Sequence, residues 1–195
     1  MMQLSVDELR SKVEEFRSSG LNTQQIADEL SLSQTTIQWL STSEFVIDDK
    51  PADVKVGWRS IAVKGERIEA ISDIFCDIID EMVGIDNVDT IVGLSINGIA
   101  FAQCVSSNLG CELSVVRSIS EEKSGHLSQV YASVSGKRVV IIDDVYSTGT
   151  TMKKTCEALE SIGAEILLCM VLVNKSWDDE VSQKPLRALV RAASV

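Results

Sequence analysis

The sequence lacks the features that mark a membrane, secreted or zinc-binding protein. It has no run of about eighteen apolar residues, so we expect no membrane-spanning helix. Its first residues lack a basic stretch followed by an apolar one, which predicts no secretion signal and a cytoplasmic location. The cysteine number is odd and no pair has C-x-x-C spacing, which argues against a disulfide framework and a zinc site. The cysteines are interpreted as buried small hydrophobic residues: Cys76, Cys104, Cys111, Cys156 and Cys169.

Positive charge is also scarce. The chain carries 18 Lys and Arg against 29 Asp and Glu, a formal net charge of −11. This balance argues against a broad basic surface for nucleic acid. Hydrophobic residues make up 45% of the 195 positions, enough to fill a core, and the length suits one medium domain with a small appendage.

An acidic segment divides the chain. Residues 44–53 break the helical pattern that precedes them and include Pro51, one of only two prolines. We therefore predict a small helical domain over residues 1–45, a linker over 46–57 and a larger domain over 58–195.

The first domain has the pattern of a helix-turn-helix. Ser5 and Glu8 form a capping box at the start of a first helix, and a second helix begins at Asn22 or Thr23. The break at residues 31–33 is about as long as the turn of this motif. Small Ala27 lies where the two helices come closest. The expected core positions of the motif are Ile26, Leu30, Leu32, Ile37 and Leu40.

The third helix is the expected DNA-reading element, with its N-terminal end entering the major groove. Glutamine can pair with adenine edges, and threonine can bond to bases or phosphate. The predicted outward positions are Gln34, Thr35, Thr36, Gln38 and Trp39, with Ser33 at the helix start, and we assign all six to DNA binding. The alternative is a three-helix lid or dimerisation module, which the acidic composition favours.

The second domain alternates helices and strands. Periodicity predicts helices over 66–83, 99–109 and 151–162, and apolar strands over 90–94, 113–116, 139–142 and 166–173. This alternation predicts an α/β domain with a parallel sheet and right-handed crossovers. Ligands bind such sheets at the carboxyl ends of the strands, so the loops there are the expected site.

One loop combines two acids with a hydroxyl-rich turn. Its hydroxyls, its glycine and the following helix start are suited to a phosphate, whereas the acids are suited to the vicinal hydroxyls of a sugar. Together they predict a ribose 5-phosphate site. One alternative is a flavin phosphate loop, which leaves the acids without a role. Another is that the acids only begin a helix. A P-loop is not indicated, because its lysine is missing. The loop comprises Asp143, Asp144, Val145, Tyr146, Ser147, Thr148, Gly149, Thr150 and Thr151.

Residues 139–152 resemble the motif with which type I phosphoribosyltransferases bind 5-phosphoribosyl 1-pyrophosphate (PRPP). The resemblance covers about residues 58–190. It implies that Asp143 and Asp144 contact the ribose hydroxyls and that residues 147–151 hold the 5-phosphate. It also implies a mobile hood over the site at 117–133, which includes Arg117, Lys123 and His126. His126 either reaches the pyrophosphate or a proton in flight, or is only a polar residue of this loop. The implied pyrophosphate loop is Ser95, Ile96, Asn97 and Gly98.

With the helix-turn-helix in front, the chain is similar to archaeal orotate-phosphoribosyltransferase-like transcriptional regulators of the GfcR type. This resemblance implies a homodimer that binds DNA and senses PRPP or a nucleotide, with magnesium present only together with bound PRPP or pyrophosphate and no metal held directly by the protein. The hood and the pyrophosphate loop have fewer cations than orotate phosphoribosyltransferases usually show. Because pyrophosphate departure builds up negative charge, we expect the shortage of cations to weaken catalysis more than ligand binding. The alternative is an active orotate- or purine-type phosphoribosyltransferase with an accessory N-terminal domain.

Overall fold

The computed structural model describes residues 5–42, 53–117 and 126–192. These residues divide between Val56 and Gly57 into two compact units. Of the predicted linker, residues 46–52 lie outside the described part. No helix among the described residues is both long and apolar enough to cross a membrane.

The first unit contains three helices, α1 (Val6–Ser18), α2 (Thr23–Leu30) and α3 (Gln34–Ser41). Each helix begins at a polar residue, Ser5, Asn22 or Ser33, whose side chain accepts a hydrogen bond from the backbone N–H three positions on. These caps satisfy amides that the first helical turn leaves without partners. Ser31 has φ 51° in the turn between α2 and α3, which allows the chain to change direction within three residues.

The predicted apolar positions form the core of this unit. Ile26 and Ile37 are fully buried against each other's helices, and the small side chain of Ala27 is also buried there. Arg10 of α1 donates hydrogen bonds to the carbonyls of Leu40 and Thr42 at the end of α3. A cation at this end complements the helix dipole and ties α1 to α3.

The second unit is a mainly parallel sheet, as predicted. Its strand order is β3-β2-β1-β4-β5-β7-β6, with antiparallel pairs at both edges and parallel pairs between them. The strands found in the described residues are β1 (Thr90–Leu94), β2 (Glu112–Arg117), β3 (His126–Leu127), β4 (Arg138–Tyr146), β5 (Glu165–Asn174), β6 (Glu180–Val181) and β7 (Lys184–Arg191).

Four helices accompany this sheet: α4 (Arg59–Ala62), α5 (Gly65–Val83), α6 (Ser95–Leu109) and α7 (Thr150–Ser161), with a 3-10 turn at Ile85–Asn87. Helix α6 lies very close to strand β4. A Cβ on Gly98 would be 2.6 Å from the Ile142 carbonyl oxygen and 2.8 Å from the Asp143 Cα. Glycine is therefore required at this crossing, and its absence of a side chain brings the start of α6 next to the acids of β4.

Several elements of the larger unit differ from the sequence-based expectation. Strand β4 continues through both acids to Tyr146, because these residues pair in register with Val171 to Asn174 of β5. Helix α6 begins at Ser95 and takes in the whole predicted pyrophosphate loop. Strand β7 and the short α4 were not predicted; β7 extends the sheet by pairing in parallel with β5.

Candidate functional site

Asp143 and Asp144 lie at the carboxyl end of β4 and are each only 7% exposed. Asp143 Oδ1 accepts hydrogen bonds from Ser95 Oγ at 2.6 Å and from the Asp144 backbone N–H at 2.9 Å. Asp144 Oδ2 accepts one from Asn97 Nδ2 at 3.1 Å. Such donors offset the cost of removing carboxylates from water, so both acids are held in place before a ligand arrives.

Trp58 is a member of the site that the sequence pattern did not identify. Its indole Nε1 donates a hydrogen bond to Asp144 Oδ2 at 2.9 Å. Its ring packs against Phe101 with ring centroids 5.4 Å apart, and Phe101 packs in turn against Phe75. Trp58 is 86 positions from Asp144 in the sequence, so no local spacing could have revealed the contact.

Burial raises the pKa of Asp144 above its ordinary value. Hydrogen bonds from Trp58 and Asn97 act in the opposite direction because they favour the ionised carboxylate. The direction of the net shift shows that burial outweighs the bonds. A carboxylate with an elevated pKa at the end of a strand is typical of residues that contact ligands.

The predicted phosphate loop joins β4 to α7. Thr148 and Thr150 are exposed, and their hydroxyls lie 3.0 Å apart. No side chain among the described residues caps α7. Its first backbone amides therefore remain available to an anion, and the positive end of the helix dipole favours one there.

Gly149 holds this loop in a left-handed conformation, φ 73°. A Cβ at this position would lie 2.3 Å from the Tyr146 hydroxyl. Tyr146 is buried, and its hydroxyl donates to Asp178 Oδ2 at 3.1 Å, so the ring cannot easily move aside. Burial, followed by the charge of Asp178, raises the pKa of Tyr146, which keeps the hydroxyl protonated as a donor. Asp178 lies in the segment after β5.

The predicted pyrophosphate loop has two different roles in the structure. Ser95 and Asn97 bond to the acids, as described above, and Gly98 allows the close crossing with β4. Ser95 adopts φ 59°, a strained conformation for a residue other than glycine, of the kind found at functional sites. Ile96 is 72% exposed and apolar, so it offers no charge to a pyrophosphate.

The predicted hood is described only at its ends. Arg117 and His126 are register partners where β2 and β3 pair, and Lys123 lies outside the described residues. The second half of the predicted hood follows β2: the backbone N–H groups of Ser128 and Ala132 donate to the carbonyls of Val115 and Leu113. Residues 126–132 are therefore an edge segment of the sheet, and a hood over the ligand at 117–133 remains a prediction.

The first unit presents the predicted DNA-reading helix, α3. Thr35 and Gln38 are exposed on it. Gln34 donates to Gln24 of α2, and Trp39 packs against the apolar core of the unit. The exposed face of α3 is therefore narrower than the sequence pattern predicts.

The prediction that Thr36 points outward is wrong, because Asp53 covers the start of α3. Asp53 Oδ2 accepts hydrogen bonds from the Ser33 backbone N–H and from Thr36 Oγ1, both at 2.7 Å. Ser33 and Thr36 are each only 8% exposed as a result. Their role in DNA binding remains a prediction, and it requires Asp53 to move away.

Comparison with known proteins first defines the class of the larger unit. Residues 57–191 match the family described as phosphoribosyl transferase domain. The fold is similar to that of adenine phosphoribosyltransferase from Saccharomyces cerevisiae, with a TM-score of 0.58 and 20% identity over 72% of this chain and 88% of that one. It is also similar to orotate phosphoribosyltransferase from Aeropyrum pernix, with a TM-score of 0.55 and 20% identity over 75% and 83%.

Relatives that match the whole chain are more specific. It is 41% identical to the transcriptional regulator GfcR of Thermoplasma acidophilum over 189 residues, 96% of each chain. It is 40% identical to that of Picrophilus torridus over 193 residues, covering 98% of this chain and 99% of the relative. The chain therefore belongs to the GfcR family of archaeal transcriptional regulators, as its resemblance implied.

Proposed function

We propose that the chain is a cytoplasmic, homodimeric, DNA-binding regulator whose α/β unit senses PRPP or a nucleotide through its ribose phosphate. One observation carries the proposal: the buried acids Asp143 and Asp144 are held by donors directly before a loop whose helix has no side-chain cap. Acids that only begin a helix would lie at its start, whereas Asp143 and Asp144 lie within β4, several residues before α7. The arrangement suits a sugar diol beside a phosphate.

The DNA-binding part of the proposal rests on α3 and its neighbours. The helix pair has a tight apolar crossing, a cap at Ser33 and neutral polar side chains, Thr35 and Gln38, on the exposed face. Because the chain has a net charge of −11, it must bind DNA through a few specific contacts rather than through general attraction, and neutral polar side chains can form such contacts. Helix-turn-helix proteins usually bind two half-sites as dimers, which supports the homodimer.

Magnesium enters the proposal only through the ligand. Mg²⁺ prefers an octahedron of oxygens and usually retains several waters when it binds phosphates. Among the described residues no group of three or more His, Cys, Asp or Glu could hold a metal ion. In this proposal the pyrophosphate oxygens of PRPP and water supply most of the magnesium ligands, and the ion offsets the charge beside Asp143 and Asp144.

A transferase with an accessory domain is the second candidate, because the sugar-phosphate half of the site is well formed. The first turn of α6 argues against it, since it contains no cation and exposes Ile96 where the departing pyrophosphate is expected. A missing electrostatic contact of this kind costs about 10²–10³ in rate. Ground-state binding is less affected by the same loss.

The deciding experiment is a selection of genomic fragments on the purified protein, with and without PRPP and magnesium, at moderate salt. We expect a few defined sites whose recovery changes with PRPP. The variant Gln38→Ala should lose them, whereas Ser11→Ala, an exposed polar position on α1, should keep them. Recovery of nothing in either condition, together with pyrophosphate release from PRPP in the presence of a base, would replace the regulator by the transferase.

A further inference from the structure

The hydrogen bond between Trp58 and Asp144 lies where the proposed function needs a free acceptor. Asp144 Oδ2 already accepts two donors, Trp58 Nε1 and Asn97 Nδ2, at 2.9 and 3.1 Å. A carboxylate oxygen has about two lone-pair sites. A ribose hydroxyl that bonds to this oxygen must therefore displace one of the two donors.

Trp58 is the more easily displaced of the two. Asn97 belongs to the 15-residue helix α6, whose first turn is fixed by the bond from Ser95 to Asp143 and by the close crossing of Gly98 with β4. Trp58 instead precedes the four-residue helix α4, which has no side-chain cap among the described residues. The Trp58 ring is only partly buried, and its ring contact with Phe101 has centroids 5.4 Å apart.

Displacing Trp58 also removes a cover. Asp144 is only 7% exposed while the indole bonds to it, so the carboxylate that should meet the sugar is largely closed to solvent. An incoming hydroxyl would replace the indole N–H as donor, which keeps the carboxylate bonded in both states. The two states therefore exchange one hydrogen bond for another and differ mainly in the position of Trp58.

We propose that Trp58 is a ligand-displaced latch: its indole occupies Asp144 in the sugar-free protein and is released when ribose hydroxyls bind there. This inference rests on the proposed function, since the sugar is the competitor. The released residue lies at the very start of the larger unit, immediately after Gly57. Occupancy of the sugar site is thus converted into movement of the segment that leads to the first unit.

The test measures binding of ribose 5-phosphate by calorimetry to the full chain and to Trp58→Phe, which keeps an aromatic ring against Phe101 but cannot donate. In this variant no indole N–H competes with the sugar for the charged Asp144 oxygen, so the Kd for ribose 5-phosphate should fall roughly tenfold. Trp177→Phe is the matched control, because Trp177 is 64% exposed and lies after β5. Its Kd should equal that of the unmodified chain. With 2-deoxyribose 5-phosphate, which lacks one hydroxyl, the gain from Trp58→Phe should be smaller.

A spectroscopic measurement keeps the test decisive if Trp58→Phe folds poorly. The chain has three tryptophans, so 5-fluorotryptophan labelling gives three fluorine resonances, which Trp177→Phe and Trp39→Phe assign. Saturation with ribose 5-phosphate should move the Trp58 resonance towards a solvent-exposed value and leave that of Trp177 in place.

The outcomes separate the latch from the proposed function. A Kd that rises in Trp58→Phe would show that Trp58 positions Asp144 for the sugar, and an unchanged Kd would show no competition; either result overturns the latch alone. Binding that leaves the Trp58 resonance unmoved also overturns it. If neither the unmodified chain nor the variant binds ribose 5-phosphate, the proposed function fails and the latch fails with it.

Discussion

The proposed sugar site and the proposed DNA-reading helix are both occupied by side chains from one short stretch of sequence, but with opposite chemistry. In the sugar site a neutral donor, Trp58, bonds to a buried charged acceptor, Asp144. At the reading helix a charged acceptor, Asp53, bonds to the neutral donors Ser33 and Thr36. Each occupant resembles what the proposed ligand would bring: a sugar hydroxyl donates, and a DNA phosphate accepts.

The two sites differ in how costly it is to leave their polar groups unbonded when no ligand is present. Carboxylates in a sheet must be bonded whether or not a sugar is present, because an unpaired buried charge is costly. The Ser33 amide and the Thr36 hydroxyl at the start of α3 are uncharged, so leaving them unpaired would cost less. The single carboxylate of Asp53 bonds to both. The two sites should therefore respond differently to the same kinds of change.

The largest expected effect is confined to the sugar site. Gly149→Ala forces a left-handed residue to carry a Cβ against the Tyr146 hydroxyl, which Asp178 holds. We expect ribose 5-phosphate binding to be lost and the free energy of unfolding to fall by about 2 kcal/mol. Gly110→Ala is the control, since Gly110 has φ 67° and no atom lies within 4 Å of the position that its Cβ would take. Gly110→Ala should lose stability through backbone strain but keep ribose 5-phosphate binding. Equal losses of binding in the two variants would contradict the role given to the Gly149 loop.

Ser95→Ala distinguishes the acids from the phosphate loop within the same site. Asp143 Oδ1 would lose its 2.6 Å bond from the serine hydroxyl, so we expect stability to fall by about 1–3 kcal/mol. Ribose 5-phosphate affinity should fall while inorganic phosphate affinity, measured by the same calorimetry, stays unchanged. Ser106→Ala on α6 removes a buried hydroxyl bonded only to its own helix and should change neither affinity. A parallel loss of both affinities in Ser95→Ala would show that the two halves of the site are not separable.

Asp53→Asn acts directly on the reading helix. Loss of the negative charge at the start of α3 should raise affinity for a 20-base-pair duplex by roughly threefold to tenfold and steepen its salt dependence. Glu29→Gln removes an equal charge from an exposed position on α2 and measures the general effect of charge. Equal affinities for the two variants would mean that Asp53 only caps the helix. A difference in ribose 5-phosphate affinity between the two variants would show that the proposed sugar site responds to Asp53.

The smallest effect is a pH dependence that only the sugar site should show. Asp144 must be ionised to accept ribose hydroxyls, and its pKa is raised above the ordinary 3.8. Affinity for ribose 5-phosphate should therefore fall with decreasing pH earlier than an ordinary aspartate would cause. In the same window the unliganded fold gains stability, because the folded state binds the proton more readily than the unfolded chain. Binding of 2-deoxyribose 5-phosphate shares the phosphate titration and should show a shallower decline; identical curves would rule out Asp144 as the cause.

Much of this architecture could be predicted from local patterns. Apolar runs predicted the four central strands, helical periodicity predicted α5 and α7, and the acids with their hydroxyl-rich turn indicated the sugar-phosphate site. These signals are local because a strand or helix face repeats every two or about 3.6 residues.

The missed features depend on residues far apart in the sequence. Strand β4 extends through the acids because β5 continues beside it, and the local sequence around Asp143 does not predict that pairing. Thr36 is buried by Asp53, 17 positions away, and Asp144 is covered by Trp58, 86 positions away. Helix α6 begins early although no side chain within the described ranges caps it, because contacts with β4 fix its first turn.

Only four residues separate Asp53 from Trp58 in the sequence. If release of one end loosens the other, sugar and DNA each change the affinity of the protein for the other by the same factor. Operator DNA is then itself an effector of the sugar site. A regulator bound to its operator would respond to a different concentration of ligand from one free in solution.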